Sequence, residues 1–279
     1  MINPRTVVRK LLGLPSRQEF FFRHMDKNGH GLEIGPSHSP VAAKSDGFDV
    51  KILDWEDRAG LIRKYIGLGV DPGRIEEVDY VWKGESYADL VGGENIFDWI
   101  ISSHSLEHIP NMVGFLLDCR RILKPGGVLA LALPDHRFMF DHRRLPSSLA
   151  SVIDAHLRKD SNPIPGTVAE FNLLFSRRRG LDSWSRFSIN RFRRGIMENS
   201  PGKARSAYLA RLGNSDYVDV HVWCFTPRSF KGLIEGLIKL SILQGIELVE
   251  PPRSRDAEFF VFLQKTTKPA PEFQALGIK

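Results

Sequence analysis

FDWIISSHSLEHIPN (97–111) and LKPGGVLALALPD (123–135) each contain a short apolar run that ends in polar residues. The runs FDWIISSH and VLALALPD are partly β-branched and bounded by Gly, Pro, Asn or Asp, which reads as two strands. Between them lies PNMVGFLLDCRRILKPGG, in which Met112, Phe115 or Leu116, Cys119, and Ile122 or Leu123 recur at helical spacing. Pro125-Gly126-Gly127 stops that helix. Strand, helix, strand in this order predicts parallel strands joined by a right-handed crossover, the unit of a doubly wound sheet.

The same alternation extends outward. HGLEIG (30–35), FDVKILD (48–54) and RIEEVDYVW (74–82) read as three earlier strands, with room only for a short helix, PVAAK, before the second. TPRSFKGLIEGLIKL follows much later as a helix with Thr226 as N-cap and Pro227 at its first position. GIELVE and EFFVFLQK then add two strands. The prediction is an α/β fold with a mostly parallel seven-stranded sheet. It divides into an N-terminal helical extension (1–29), a core (30–135), an inserted, partly helical lid after the fifth strand (136–220), a helix and strand pair completing the core (221–265), and a tail (266–279). Arginine runs and proline-rich patches in 136–220 break the regular pattern, and that stretch is too long for an ordinary connection.

The 279 residues are 42% hydrophobic and 26% charged, ordinary for a globular protein. No apolar run approaches the roughly 20 residues of a membrane span. The basic, partly apolar N-terminus is interrupted by Pro15 and lacks a signal-peptide pattern, so the cytoplasm is the expected location. It reads as an amphipathic helix that packs on the domain or makes peripheral contact with a membrane or partner. Cys119 and Cys224 have no metal-ligand spacing and read as buried free thiols. The net charge is +6. Residues 136–220 hold 15 Lys/Arg against 8 Asp/Glu, so the excess is concentrated there and suits an acidic partner or substrate as well as a merely solvated face.

In an open parallel sheet, ligands bind beyond the carboxyl ends of the strands, beside the first strand-to-helix turn. Here that turn is Glu33-Ile34-Gly35, and a glycine lets the backbone approach a ligand closely. Asp54 ends the second strand, where an acceptor-only carboxylate suits a ribose diol.

This order of elements resembles the class I S-adenosylmethionine (SAM)-dependent methyltransferases, and most closely the small-molecule group whose loop reads (H/N)xxEH. The resemblance covers 30–135 and 221–265. It implies a Rossmann-like fold and SAM as cofactor. Glu33 and Gly35 would line the methionine and ribose side, Asp54 would hold the ribose hydroxyls, and Asp79, at the end of the third strand, would be the acid near adenine. Ser103 and His104 would lie beneath the methionine, with Glu107 and His108 as the EH pair. One departure is plain: Ser37 and Ser39 stand where that family carries its later turn glycines, with Pro36 and Pro40 stiffening the turn.

A hydroxyl acceptor needs a general base, and histidine titrates near neutrality. His136 and His221, at the two ends of 136–220, rank first as base, followed by His142 and His108. The His and Asp spacing matches no metal motif, so no metal is expected. The block from PDHRFMF to CFTPRSF resembles methyltransferases of bacterial cell-surface glycan assembly, which implies a small-molecule or glycan acceptor, with Trp184 and Trp223 as stacking candidates. RNA methylation is an alternative suggested by the arginine runs, yet the (N/D)PP(Y/F) motif is absent. A non-catalytic scaffold with this fold is the remaining reading.

Overall fold

In a computed structural model the described residues are 15–178, 181–184, 196–214 and 216–266. The main sheet contains β1 (Gly31–Ile34), β2 (Val50–Asp54), β3 (Tyr80–Val81), β4 (Phe97–Ser103), β5 (Leu123–Pro134), β8 (Ile246–Leu248), β9 (Arg253–Arg255) and β10 (Glu258–Lys265). Its order is β3-β2-β1-β4-β5-β10-β8, with β9 paired to β10. β1 pairs parallel with β2 and β4, and β2 with β3, as the strand–helix–strand pattern requires. The fold is thus α/β, with eight sheet strands rather than seven, because Arg253–Arg255 adds an antiparallel edge to β10. That strand has too few apolar residues to stand out in sequence.

The helices are α1 (Arg17–Phe21), α2 (Arg58–Tyr65), α3 (Tyr87–Val91), α4 (Met112–Ile122), α5 (Leu149–Arg158), α6 (Pro165–Leu174), α7 (Pro201–Leu212) and α8 (Pro227–Lys239). Helix α8 starts where the sequence places it, with Thr226 and Ser229 forming a reciprocal capping box. Phe230, Leu233, Ile234 and Leu237 form its buried stripe. A two-stranded ribbon, β6 (Ser176–Arg177) with β7 (Ile196–Met197), also lies within 136–220. Among the described residues no helix is long and apolar enough to cross a membrane.

The chain forms two compact units, one of residues 1–103, 121–131 and 262–265, the other of 104–120, 132–261 and 266–279. In the first, β1 and β4 are buried along nearly their whole length. Gly31 is required there, because a Cβ would sit 2.1 Å from the ring of fully buried Trp99. In the second, α4 and the 219–225 segment contribute the buried side chains of Met112, Leu116, Cys119, Val222, Trp223 and Phe225. Cys119 and Cys224 are free and buried.

Two expectations are corrected. RIEEVDYVW supplies a strand of only two residues, since Pro72–Arg74 forms a 3₁₀ turn and 75–79 is irregular, its main chain meeting β2 only through the bond from Asp79 N to Ile52 O (2.9 Å) before Tyr80. PVAAK is not helical; a 3₁₀ turn occupies Lys44–Asp46 instead. The reason is local: the Glu33 carboxylate accepts hydrogen bonds from Val41 N (2.8 Å) and Ala42 N (3.0 Å), which fixes those amides outside a helix.

Candidate functional site

In the first unit, the pairing of Ile34 with both Leu53 and Ser102 brings Gly35, Asp54 and Ser103 together at the carboxyl edge of three adjacent strands. Gly35 has φ +66°, a left-handed conformation that glycine adopts without strain, and its N–H donates to Leu53 O. Ser37 follows at φ +50°, where a non-glycine residue is strained. Asp54 holds it: its Oδ2 accepts from Ser37 N (3.0 Å) and its Oδ1 from Trp55 N (2.8 Å). At Ser37 the missing glycine is thus offset by a carboxylate that grips the backbone, while Ser39 N donates to Pro36 O (2.8 Å). Asp54 is buried, and burial raises its pKa against the pull of those two amides.

Glu33 does not face open space. It is fully buried, and its carboxylate is engaged by the loop amides described above. Burial pushes its pKa up to about 7, with the Ala42 and Val41 hydrogen bonds and the Arg17 charge acting in opposition. Asp79 precedes β3 rather than ending it. Its carboxylate accepts from Ile52 N (2.8 Å), Lys44 Nζ (2.6 Å) and Lys51 Nζ (3.2 Å), so it ties the sheet edge together. Ser103 Oγ accepts from the Arg17 guanidinium at 2.6 Å. Sequence reasoning missed Arg17, since nothing local marks a residue of α1 as reaching the end of β4.

The second unit gathers the histidines. His104 has φ +52°, and its Nε2 lies 3.1 Å from Glu258 Oε2 while its Nδ1 lies 3.6 Å from Glu107 Oε1. His108 and His221 meet edge to face with ring centroids 4.7 Å apart. The contact is enforced by main chain: Glu107 O accepts from Val222 N (2.7 Å) and Trp223 N (3.1 Å). His221 Nδ1 pairs with Asp141, and both side chains are buried. Buried Arg144 braces this pair by donating to His221 O (2.7 Å) and Val222 O (3.2 Å), with Glu170 Oε2 at 3.0 Å and Asp141 Oδ1 at 3.4 Å. His108 Nδ1 is 2.8 Å from Asp219 Oδ1. Burial alone would lower the His108 pKa, but Asp219 and the Glu107 charge outweigh it and leave it raised.

His136 is buried, with Nδ1 3.5 Å from Asp141 O, and burial lowers its pKa. His142 Nδ1 lies 3.1 Å from Met139 O and 3.2 Å from Ser176 Oγ; burial and then the Arg178 charge lower its pKa. Of the four candidate bases, only His108 and His221 are brought into ring contact and paired with carboxylates.

Other readings change. Trp223 is a core residue whose Nε1 donates to Ile109 O at 2.7 Å, and Trp184 is buried beside His142 with Arg178 stacked on it at 4.3 Å, so neither is an open sugar platform. Arg144 is structural, Arg177 pairs with Asp182, and Arg158 with Asp160, so these three arginines are engaged within 136–220 and the net excess rests on others. Arg179, Arg191, Arg193 and Arg194, together with residues 1–14 of the N-terminal extension and 267–279 of the tail, lie outside the described residues.

The family described as methyltransferase domain matches residues 70–131. No curated protein matches the chain. Among solved structures, a protein from Pyrococcus horikoshii OT3 is 17% identical, covering 95% of this chain and 92% of that one, with a TM-score of 0.44. An S-adenosylmethionine-dependent methyltransferase from Mesorhizobium loti is 12% identical, covering 89% and 98%, with a TM-score of 0.42. A SAM-dependent methyltransferase from Methanosarcina mazei is 13% identical, covering 89% and 98%, with a TM-score of 0.40. With its parallel β3-β2-β1-β4 block, and with the methyltransferase-domain match running from the third strand into the fifth, the chain has a Rossmann-like methyltransferase fold.

Proposed function

We propose that the chain is a SAM-dependent methyltransferase acting on a hydroxyl, the acceptor being a sugar of a glycan or glycan precursor. The observation that carries the hydroxyl assignment is the buried Asp141–His221 pair: a carboxylate fixes the imidazole through Nδ1 and leaves Nε2 free to act. A neutral amine or a carboxylate acceptor would not need such a pair. The sugar assignment rests on the resemblance of the 134–230 block to glycan methyltransferases. Two free buried thiols suit a reducing compartment, in keeping with work in the cytoplasm.

SAM supplies the electrophilic methyl group and the leaving thioether, so the chain must hold, orient and exclude water. Gly35, Asp54 and Ser103 are assigned to the cofactor. The Asp141–His221 pair is assigned to activating the hydroxyl: an oxygen–carbon bond forms, the sulfur–carbon bond breaks, and the hydroxyl proton leaves by way of the pair. Calorimetry with SAM and its demethylated product tests the first assignment. Asp54→Ala should weaken binding by about 1.5–3 kcal/mol, on the order of tenfold to a hundredfold. His221→Gln should lower turnover by roughly 10²–10⁴-fold with SAM affinity nearly intact. A folded wild type that binds neither SAM nor its product refutes the proposal.

A further inference from the structure

The pairing of Asp141 with His221 leaves Glu107 unused, and Glu107 is the most anomalous side chain of the second unit. It is fully buried, and neither carboxylate oxygen has a hydrogen-bond partner. His104 Nδ1 lies 3.6 Å from Oε1, beyond hydrogen-bond reach. A carboxylate withdrawn from water and left without donors is heavily penalised unless a cation meets it.

We propose that Glu107, His108 and His221 bind one divalent transition-metal ion. The ligating atoms of the three residues lie within 4.8 Å of one another, a span that small side-chain rotations close around an ion with bonds of about 2.1 Å. His221 Nδ1 is held by Asp141, which leaves its Nε2 as the ligand, whereas His108 Nδ1 lies 2.8 Å from Asp219 Oδ1 without making a hydrogen bond, so the His108 ring can offer a nitrogen to the ion. Carboxylate–histidine–metal chains of this kind orient the ring and make it more basic. The scaffold is also built in advance: Glu107 O is locked to the amides of Val222 and Trp223, and Arg144 clamps the carbonyls on either side of the His221–Val222 peptide bond. Two imidazoles and one carboxylate suit zinc, manganese, iron or cobalt rather than calcium or magnesium. Three protein ligands leave a position open, as catalytic rather than structural sites do.

The use of the ion rests on the methyl-transfer reading, although its binding does not. With one carboxylate and two neutral imidazoles, a divalent ion keeps a net positive charge. An acceptor hydroxyl bound in the open position would then lose its proton more readily, because coordination stabilises the alkoxide. His221 would thereby activate the hydroxyl as a ligand, not as the first proton acceptor.

The test strips the full-length protein with a chelator and titrates it with Co²⁺, following the visible absorption of the bound ion, with Zn²⁺ competition and elemental analysis for stoichiometry. One ion per chain is expected. Glu107→Gln and His221→Ala should abolish saturable binding, and Asp141→Asn, which leaves the three ligands in place but weakens the support of His221, should weaken it by about 10–100-fold. Circular dichroism establishes that each variant is folded; should Glu107→Gln fail to fold, Asp141→Asn decides the matter. A folded wild type that gives no bound-cobalt spectrum overturns the proposal, as does wild-type affinity in folded His221→Ala. SAM calorimetry on the same samples separates the two readings: SAM binding without metal binding refutes the ion alone. Metal binding without SAM binding supports the ion and counts against methyl transfer.

Discussion

Glu33→Gln is the most informative single change in the first unit of the protein. In the fold the Glu33 carboxyl titrates at about 7 rather than at 4.5 because it is buried. Each pKa unit corresponds to about 1.36 kcal/mol, so the shift amounts to about 3 kcal/mol. The sign follows from proton binding. Below about pH 4.5 the folded and unfolded states both hold the proton, and stability is at its full value. As pH rises toward 7 the unfolded chain releases its proton while the folded chain retains it, so stability falls by up to that amount and then levels off. Glutamine keeps the shape and can accept from only one of the Val41 and Ala42 amides, which costs about 1–3 kcal/mol independent of pH. Urea unfolding of both proteins at about pH 5 and about pH 8 gives a double difference in which all other titrating groups cancel. Part of the loss is already complete at pH 5, so the wild type should lose about 2.5 kcal/mol more than Glu33→Gln between the two conditions. Parallel pH dependence in the two proteins would refute the assignment of a buried, protonated Glu33.

Gly31→Ala places a methyl group against the immobile Trp99 ring and should destabilise the protein by about 1–3 kcal/mol or more, seen as a lowered urea midpoint; an unchanged midpoint would mean that the ring yields. Arg144→Leu leaves Asp141 buried without its cation and should cost about 3–5 kcal/mol in the same assay, whereas a loss below about 1 kcal/mol would show that Arg144 is dispensable as a brace.

Strands β1, β2, β4 and β10 and helix α8 are legible in sequence because their apolar periodicity, turn residues and caps all agree. The third strand is not, since Val78 and the residues before it alternate like a strand yet the ladder with β2 begins only where Tyr80 pairs with Leu53. That misplacement carried Asp79 to the wrong end of the strand. Gly35 and Asp54 were readable as a turn and an acid at fixed spacing, but the grip of Asp54 on Ser37 was not, because it depends on a backbone angle. The histidine cluster shows the same limit. Asp141 stands next to His142 in the chain and pairs instead with His221, while Glu107 was visible only as half of a short motif. Such pairings are set by the hydrogen bonds of Glu107 O to Val222 and Trp223, which leave no local periodicity to read.

The locking of Glu107 O to the amides of residues 222 and 223 also sets a timetable for biosynthesis. A ribosome adding about 5–20 residues per second needs roughly 6–20 s to travel from Glu107 to His221. Throughout that interval the nascent chain carries an acid that the finished protein seals completely. Residues 15–103 can pair their parallel strands while residue 107 still lies in water. The carboxylate is therefore buried as a late, long-range event, and a ribosome stalled before codon 221 would display strands β1 to β4 without β8 to β10 and a Glu107 still open to water.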